Sequence, residues 1–287
     1  GVTASVADDK TEVTKWTHNT KIPTYGATGW WDKSAYKEGM VLGDIWGLQF
    51  DRFLTEDDFN ADGSLKAGLP DQTKVFPAGY QFAPGDVLYK DLDNNGEIVK
   101  QTNTNEKGDL SVIGNALPRL QFGLNLDAAW KGFDISMFFQ GVAKRKLWAA
   151  GNQVLPGFTT GEPFYKGAED YWTPENTDAF YPRPMDYKQS ASGNYSVNDR
   201  YLLNMAYLRL KTFTVGYSLP KVWLSKFKVQ GLRVYFTGEN LFTIDGVKPA
   251  IDPEIGIRTA GTSSDQRNFG RSYPYQKTVS FGIQLSL

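Results

Sequence analysis

Apolar and polar residues alternate with a period of two over several parts of the chain, most regularly at its C-terminus. Val279, Phe281, Ile283, Leu285 and Leu287 alternate with Ser280, Gly282, Gln284 and Ser286. Successive side chains of an extended strand point to opposite faces, so this segment reads as a strand with one apolar and one small or polar face. Leu120, Phe122, Leu124, Leu126, Ala128 and Trp130 form a second apolar row against Gln121, Gly123, Asn125 and Asp127. Lys131-Gly132 then signals a tight turn. Phe133, Ile135, Met137 and Phe139 return against Asp134, Ser136, Phe138 and Gln140, which predicts a hairpin. Leu232, Val234 and Phe236 alternate in the same way with Arg233, Tyr235, Thr237 and Glu239. In "YLRLKTFTVGYSL" the parity changes: Leu208 and Leu210 share one, while Phe213, Val215 and Tyr217 have the other. A one-residue slip would send a whole apolar set to the wrong face, so a β-bulge is expected at Lys211–Thr212. No stretch sustains a helical repeat over three turns; Val222 to Phe227 is the one short candidate.

The connections between these strands alternate in length. Lys131-Gly132 and the link from Pro220 to Gly231 are short. The stretch before Leu117, Val142 to Asn204, and Thr243 to Pro274 are long and rich in Gly, Pro, Asn, Asp and aromatic residues. Short turns at one end of a sheet and large loops at the other are the asymmetry of a transmembrane β-barrel, and each hairpin arm has about the 9–11 residues needed to cross a bilayer. A soluble β-sandwich would place Lys and Glu on its water-facing side, whereas the polar face of the C-terminal strand and of the first hairpin is mostly Ser, Gly, Gln and Asn, with two Asp. Aromatic residues gather near strand ends (Trp130, Phe133, Tyr217, Trp223, Tyr273 and Tyr275), as interfacial girdles do. The expected class is all-β, a transmembrane antiparallel barrel. Residues 1–112 carry barrel strands and long loops, including two acidic ones. Residues 113–287 carry the C-terminal strands, with long loops at 143–204 and 243–274. The alternative from another class is a soluble β-sandwich that binds glycan.

Composition narrows the chemistry. The charge is balanced, 31 Lys+Arg against 32 Asp+Glu, so a nucleic-acid partner is not expected. There is no Cys, which removes disulfides, zinc–thiolate sites and thiol catalysis, and His18 is the only histidine, so a histidine triad has no material. Mean hydropathy is -0.43, no run approaches a spanning helix, and residues 1 to 15 show no signal-peptide pattern. A membrane location would have to rest on strands.

Two acidic loops suggest cation binding. "KDLDNNGEI" places Asp91, Asp93, Asn95 and Glu97 at alternate positions around Gly96. Hard oxygen ligands at that spacing suit Ca²⁺. "DFNADGSL" offers Asp58, Asn60 and Asp62 similarly. Thr102 and Leu69 stand where an EF-hand needs its closing Glu, so neither loop is an EF-hand. The competing reading is a surface turn in which Asp and Asn bond their own backbone. No cofactor is required, and calcium is the one candidate. No nucleophile–base pair stands out, so no catalytic residues are assigned, and a calcium-dependent enzyme is the weakest of the readings. Trp148, Phe164, Tyr165, Tyr171 and Trp172 share one long loop, where they could contact a sugar ring, a peptide side chain or a partner, or pack the loop on itself.

The chain resembles the C-terminal part of SusC/RagA-like TonB-dependent outer-membrane transporters. The matching stretches, in family order, are "GDVLYKDLDNNGEI", "IGNALPRLQFGLNLDAAWKGFDISMFFQGV", "YWTPENTDAFYPR", "YLRLKTFTVGYSLP", "LRVYFTGENLFT" and "YPYQKTVSFGIQLSL". The chain departs from the family in ending on Leu287 rather than an aromatic residue, which weakens the signal that barrel-assembly machinery reads. The resemblance implies the last third or so of a barrel of about 22 strands with a plugged lumen, the plug and the TonB-contacting segment lying outside this sequence. It implies TonB-dependent import of oligosaccharides or peptides across the outer membrane of a Gram-negative bacterium. The implied partners are a SusD-like surface lipoprotein, the TonB complex and outer-membrane lipid. Siderophore or vitamin import is the alternative within the fold. Arg209, Arg233 and Glu239 would then face the lumen or hold the plug.

Overall fold

The computed structural model describes residues 1–17, 38–102, 106–149, 151–158, 164–185, 193–224, 229–248, 251–254 and 273–287. His18 and Phe227 lie outside them. In chain order the strands are β1 (Val2–Ala7), β2 (Asp44–Gly47), β3 (Phe50–Phe53), β4 (Val87–Tyr89), β5 (Ser111–Asn115), β6 (Arg119–Trp130), β7 (Phe133–Lys144), β8 (Lys146–Leu147), β9 (Leu203–Asn204), β10 (Tyr207–Ser218), β11 (Gly231–Asp245) and β12 (Thr278–Ser286). A single helical turn, α1 (Lys221–Leu224), sits between β10 and β11.

β1, β6, β7, β10, β11 and β12 form one antiparallel sheet in that order. Its register puts the apolar rows on one face. Val2 lies opposite Leu126, Leu126 opposite Met137, and Met137 opposite Phe213. Val215 lies opposite Phe236, and Phe236 opposite Phe281. The expected bulge is present: pairing shifts between Leu210 and Thr212 against both neighbours. With it, Leu208 and Leu210 join Phe213, Val215 and Tyr217 on the apolar face. The hairpin turn has φ of 49° at Lys131 and 90° at Gly132, the left-handed pair a type I′ turn requires.

Among the described residues no second sheet covers this apolar face. Phe281 is 83% and Ile283 73% exposed. A sandwich would bury those side chains against a facing sheet about 10 Å away, so the sandwich alternative fails on packing. A continuous apolar surface of this extent marks contact with lipid or another macromolecule. Trp130, Phe133 and Trp223 stand exposed at the short-turn end, with Tyr217 against Phe133 at 4.5 Å between ring centres.

The polar face is knit by side chains lying over glycines. Arg233 crosses β10 to reach Asp134 at 2.5 and 2.9 Å, over Gly216, where a Cβ would collide with the guanidinium. Tyr235 lies over Gly282 in the same way.

The folded core is at the long-loop end. Of the described residues before 113, only β1 joins the large sheet; the rest build a layer of loops and two-stranded pairs with the second and third long connections. β7 runs to Lys144 and β11 to Asp245, so those connections span 145–206 and 246–277. One buried cluster joins Ile45 from the first connection, Trp148, Leu155 and Tyr201 from the second and Val247 from the third. Another joins Phe53, Val87, Tyr89 and Ile98 to Trp172 and Ala179. The long connections therefore form an ordered layer with its own hydrophobic interior.

Candidate functional site

The acidic loop follows β4. Asp91 accepts hydrogen bonds from the Gly96 amide at 2.7 Å and the Asn95 amide at 3.3 Å, and Asp93 accepts from the Asn95 amide at 3.2 Å. Those backbone donors, Gly96 first, hold the Asp91 carboxyl below its usual range. Asn95 spends its side-chain oxygen on the Glu97 amide at 2.8 Å, and Glu97 turns to Lys74 at 2.5 Å. The expected set of four therefore does not converge. Asp109 takes the place of Asn95 and Glu97: it is fully buried and accepts from the Leu92 and Val99 amides at 2.7 Å each. Burial pushes its carboxyl up, with Asp93 and Asp91 adding to the rise. Asp91, Asp93 and Asp109 each offer a carboxylate oxygen, all within 4.8 Å of one another. The second oxygen of Asp93 is enclosed and accepts no hydrogen bond. Asp109 carried no signal in the sequence, because it lies well beyond the motif's spacing. The other acidic loop is closed without a cation. Arg52 clamps Asp58 at 2.5 and 2.7 Å, which lowers that carboxyl to about 2, and Asp62 bonds the Ser64 amide and hydroxyl.

Two of the five loop aromatics are corrected by burial. Trp148 is 2% and Trp172 6% exposed; both pack the interior of the loop layer, because these connections are long enough to own a core. Phe164, Tyr165 and Tyr171 do reach the surface. They line a cavity of about 370 Å³ with Tyr181, Tyr195 and Pro182, within the size range of small-ligand sites.

The three polar strand residues divide similarly. Arg209 is 4% exposed, and donates to Asp252 at 2.7 Å, Glu254 at 2.8 Å and Thr243 at 2.7 Å. Asp252 also accepts from the Tyr275 amide, and Lys211 reaches Glu254 at 3.0 Å. Arg209 thus fastens the third long connection to β10 and is shut off from any open lumen. Arg233 is held by Asp134, and Glu239 is exposed on the polar face opposite Thr212 and Thr278.

A further centre had no motif. Asp86, fully buried, accepts from Arg183 Nε at 2.8 Å, Tyr80 Oη at 2.8 Å, the Ala83 amide and Asn194 Nδ2, both at 2.9 Å. Asn194 in turn accepts from the Val87 amide at 2.8 Å. This network clips residues 80–89 to Arg183 and Asn194, across the two longest connections.

No family model matches the chain. Over 258 residues, 87% of its length, it is 29% identical to TonB-dependent receptor P3 of Formosa agariphila. Over 201 residues, 68% of its length, it is 32% identical to TonB-dependent receptor P26 of the same organism. TonB-dependent receptor SusC of Bacteroides thetaiotaomicron is 24% identical over 242 residues, 81% of the chain. The chain belongs to the SusC-like TonB-dependent receptors. It spans about a fifth of the length of these relatives, 22%, 19% and 22% in turn. The solved RagAB peptide transporter shares the fold, with a TM-score of 0.61 at 17% identity over 99% of this chain and 26% of that one. The same importer in its "closed-closed" state matches with a TM-score of 0.59 at 17% identity, over 99% of this chain and 27% of that one. The six-stranded sheet is therefore a segment of a TonB-dependent receptor barrel.

Proposed function

We propose that this SusC-like chain is the C-terminal barrel portion of an importer that carries oligosaccharides or peptides across the outer membrane of a Gram-negative bacterium. Energy comes from TonB, and a SusD-like lipoprotein closes over the long-loop end; no bond-making chemistry is assigned. The observation that carries the reading is the pairing of a two-faced, bilayer-length sheet with a preformed loop layer at one end only. Such a layer offers a rigid surface for a partner and cargo, where mobile loops would first lose conformational entropy. Phe164, Tyr165 and Tyr171 are the loop residues open to cargo, and Glu239 with Arg233 would line the lumen.

The test uses the full-length protein. Affinity purification from outer membranes should bring down a surface lipoprotein, and uptake of labelled oligosaccharide or peptide should stop when TonB is deleted. Uptake that persists without TonB would sink the reading. Co-purification of no lipoprotein, with binding of a metal chelate, would favour siderophore or vitamin import.

Within that reading Asp91, Asp93 and Asp109 would hold a calcium ion that stiffens the acidic loop. Support comes from the convergence of three carboxylates and from the enclosed, unbonded oxygen of Asp93. Ca²⁺ takes six to eight oxygens, so backbone carbonyls or water would complete the shell. Calcium should raise the melting temperature of the full-length protein, and Asp109→Asn should abolish the rise. An unchanged melting curve with and without chelator would refute it.

A further inference from the structure

Four cations converge where β6 and β7 enter the loop layer. Arg119 and Lys144 are direct cross-strand partners, and Arg145 and Lys146 follow in the chain. With Asp44, Asn115, Leu117 and Asn204 they line a cavity of about 470 Å³. Like charges placed opposite each other destabilise a sheet, and the chain as a whole is charge-balanced, so this concentration calls for an anion. Asp8 supplies one for Arg119, bonding its guanidinium through both carboxylate oxygens. Asp44 is engaged by the Asn115 side chain at 2.9 Å. Among the described residues no carboxylate forms an ion pair with Lys144, Arg145 or Lys146. Arg145 is half-buried, and its Nε donates to the Ala116 carbonyl at 3.3 Å. Burial pulls its guanidinium below the usual arginine range, with Tyr207 acting weakly against it.

The register says which side this charge serves. Arg119 and Lys144 share the parity of Gln121, Asn125 and Gln140, the polar face, and not that of the apolar rows that would meet lipid. A lipid phosphate is on the wrong side. Three cations outside any ion pair among the described residues also exceed what a single terminal carboxylate needs, and suit a ligand with repeated negative charge.

We propose that this cavity binds an oligosaccharide bearing carboxylate or sulfate groups, as cargo at the mouth of the barrel. The inference rests on the importer reading and specifies its substrate. It is tested with the full-length protein in detergent, comparing an oligogalacturonate with its methyl ester, which keeps the rings and removes the charge. The wild type should bind the acid form at least tenfold more tightly, with an affinity that falls as salt rises. Lys144→Gln combined with Lys146→Gln should remove that preference, bringing the affinity for the acid form down to that for the ester. Retention of the heat-modifiable gel shift would show that the variant barrel is folded. Equal binding of acid and ester by the wild type would overturn the proposal. So would a variant that loses acidic-peptide binding but keeps oligogalacturonate, or one that loses co-purifying lipopolysaccharide instead. TonB-dependent uptake of neutral cargo without charge discrimination would overturn the proposal and leave the importer reading standing.

Discussion

Replacement of Asp86 by alanine is expected to open the loop layer while the six-stranded sheet stays assembled. Asp86 is fully buried and is bonded by Arg183, Tyr80, the Ala83 amide and Asn194. Removing one partner of a buried ion pair costs about 3–5 kcal/mol, because the other charge is left without compensation. The Arg183 side chain is 26% exposed and recovers some hydration, which draws its share toward the lower end. The Ala83 amide loses its acceptor as well, and an unsatisfied buried donor costs about 1–3 kcal/mol; Tyr80 Oη and Asn194 Nδ2 are left with only the weak Met185 sulfur, at 2.9 and 3.5 Å. Asp86→Asn keeps the shape but turns an NH₂ donor toward other donors, so it should recover little. The readout is limited trypsin digestion of the full-length protein in detergent. New cuts should appear within 44–118 and 145–206, while the heat-modifiable mobility of the barrel is retained. A wild-type digestion pattern would show that the network is dispensable.

That network also explains why the loop layer was hard to read from sequence. Strand positions were legible because a strand with one apolar face must alternate at every second residue, and Phe122 to Trp130 or Val279 to Leu287 do so without interruption. The Lys131-Gly132 turn and the bulge were legible for the same local reason. The loop contacts are long-range. Arg183 meets Asp86 across 97 positions, and nothing near either residue announces the other. Asp109 joins Asp91 and Asp93 only because the chain doubles back, so the motif pointed to Asn95 and Glu97, which serve their own turn and Lys74. Trp148 and Trp172 looked available because they lie in a loop, yet a connection of this length can bury its aromatics. Arg209 had the parity of a polar-face residue; its burial depends on Asp252 and Glu254, which arrive from another connection.

Replacement of Arg209 by alanine should release the third connection from β10, a larger effect than any substitution at Lys211. The bulge lets Leu208 and Leu210 share a face with Phe213, Val215 and Tyr217, and so keeps Arg209 on the polar side, where Asp252 and Glu254 meet it. Both carboxylates are almost wholly buried against Arg209 and would lose it, at about 3–5 kcal/mol for a buried pair broken on one side. That loss is a large share of the roughly 5–15 kcal/mol by which folded proteins are stable. Lys211→Ala is the control, since it loses only the contact with Glu254 at 3.0 Å. Amide hydrogen exchange of the full-length protein in detergent should speed up at Glu254 and Tyr275, whose amides bond Asp252, in the Arg209 variant and stay slow in the Lys211 one; equal protection in both would mean that the buried pairs do not hold this connection.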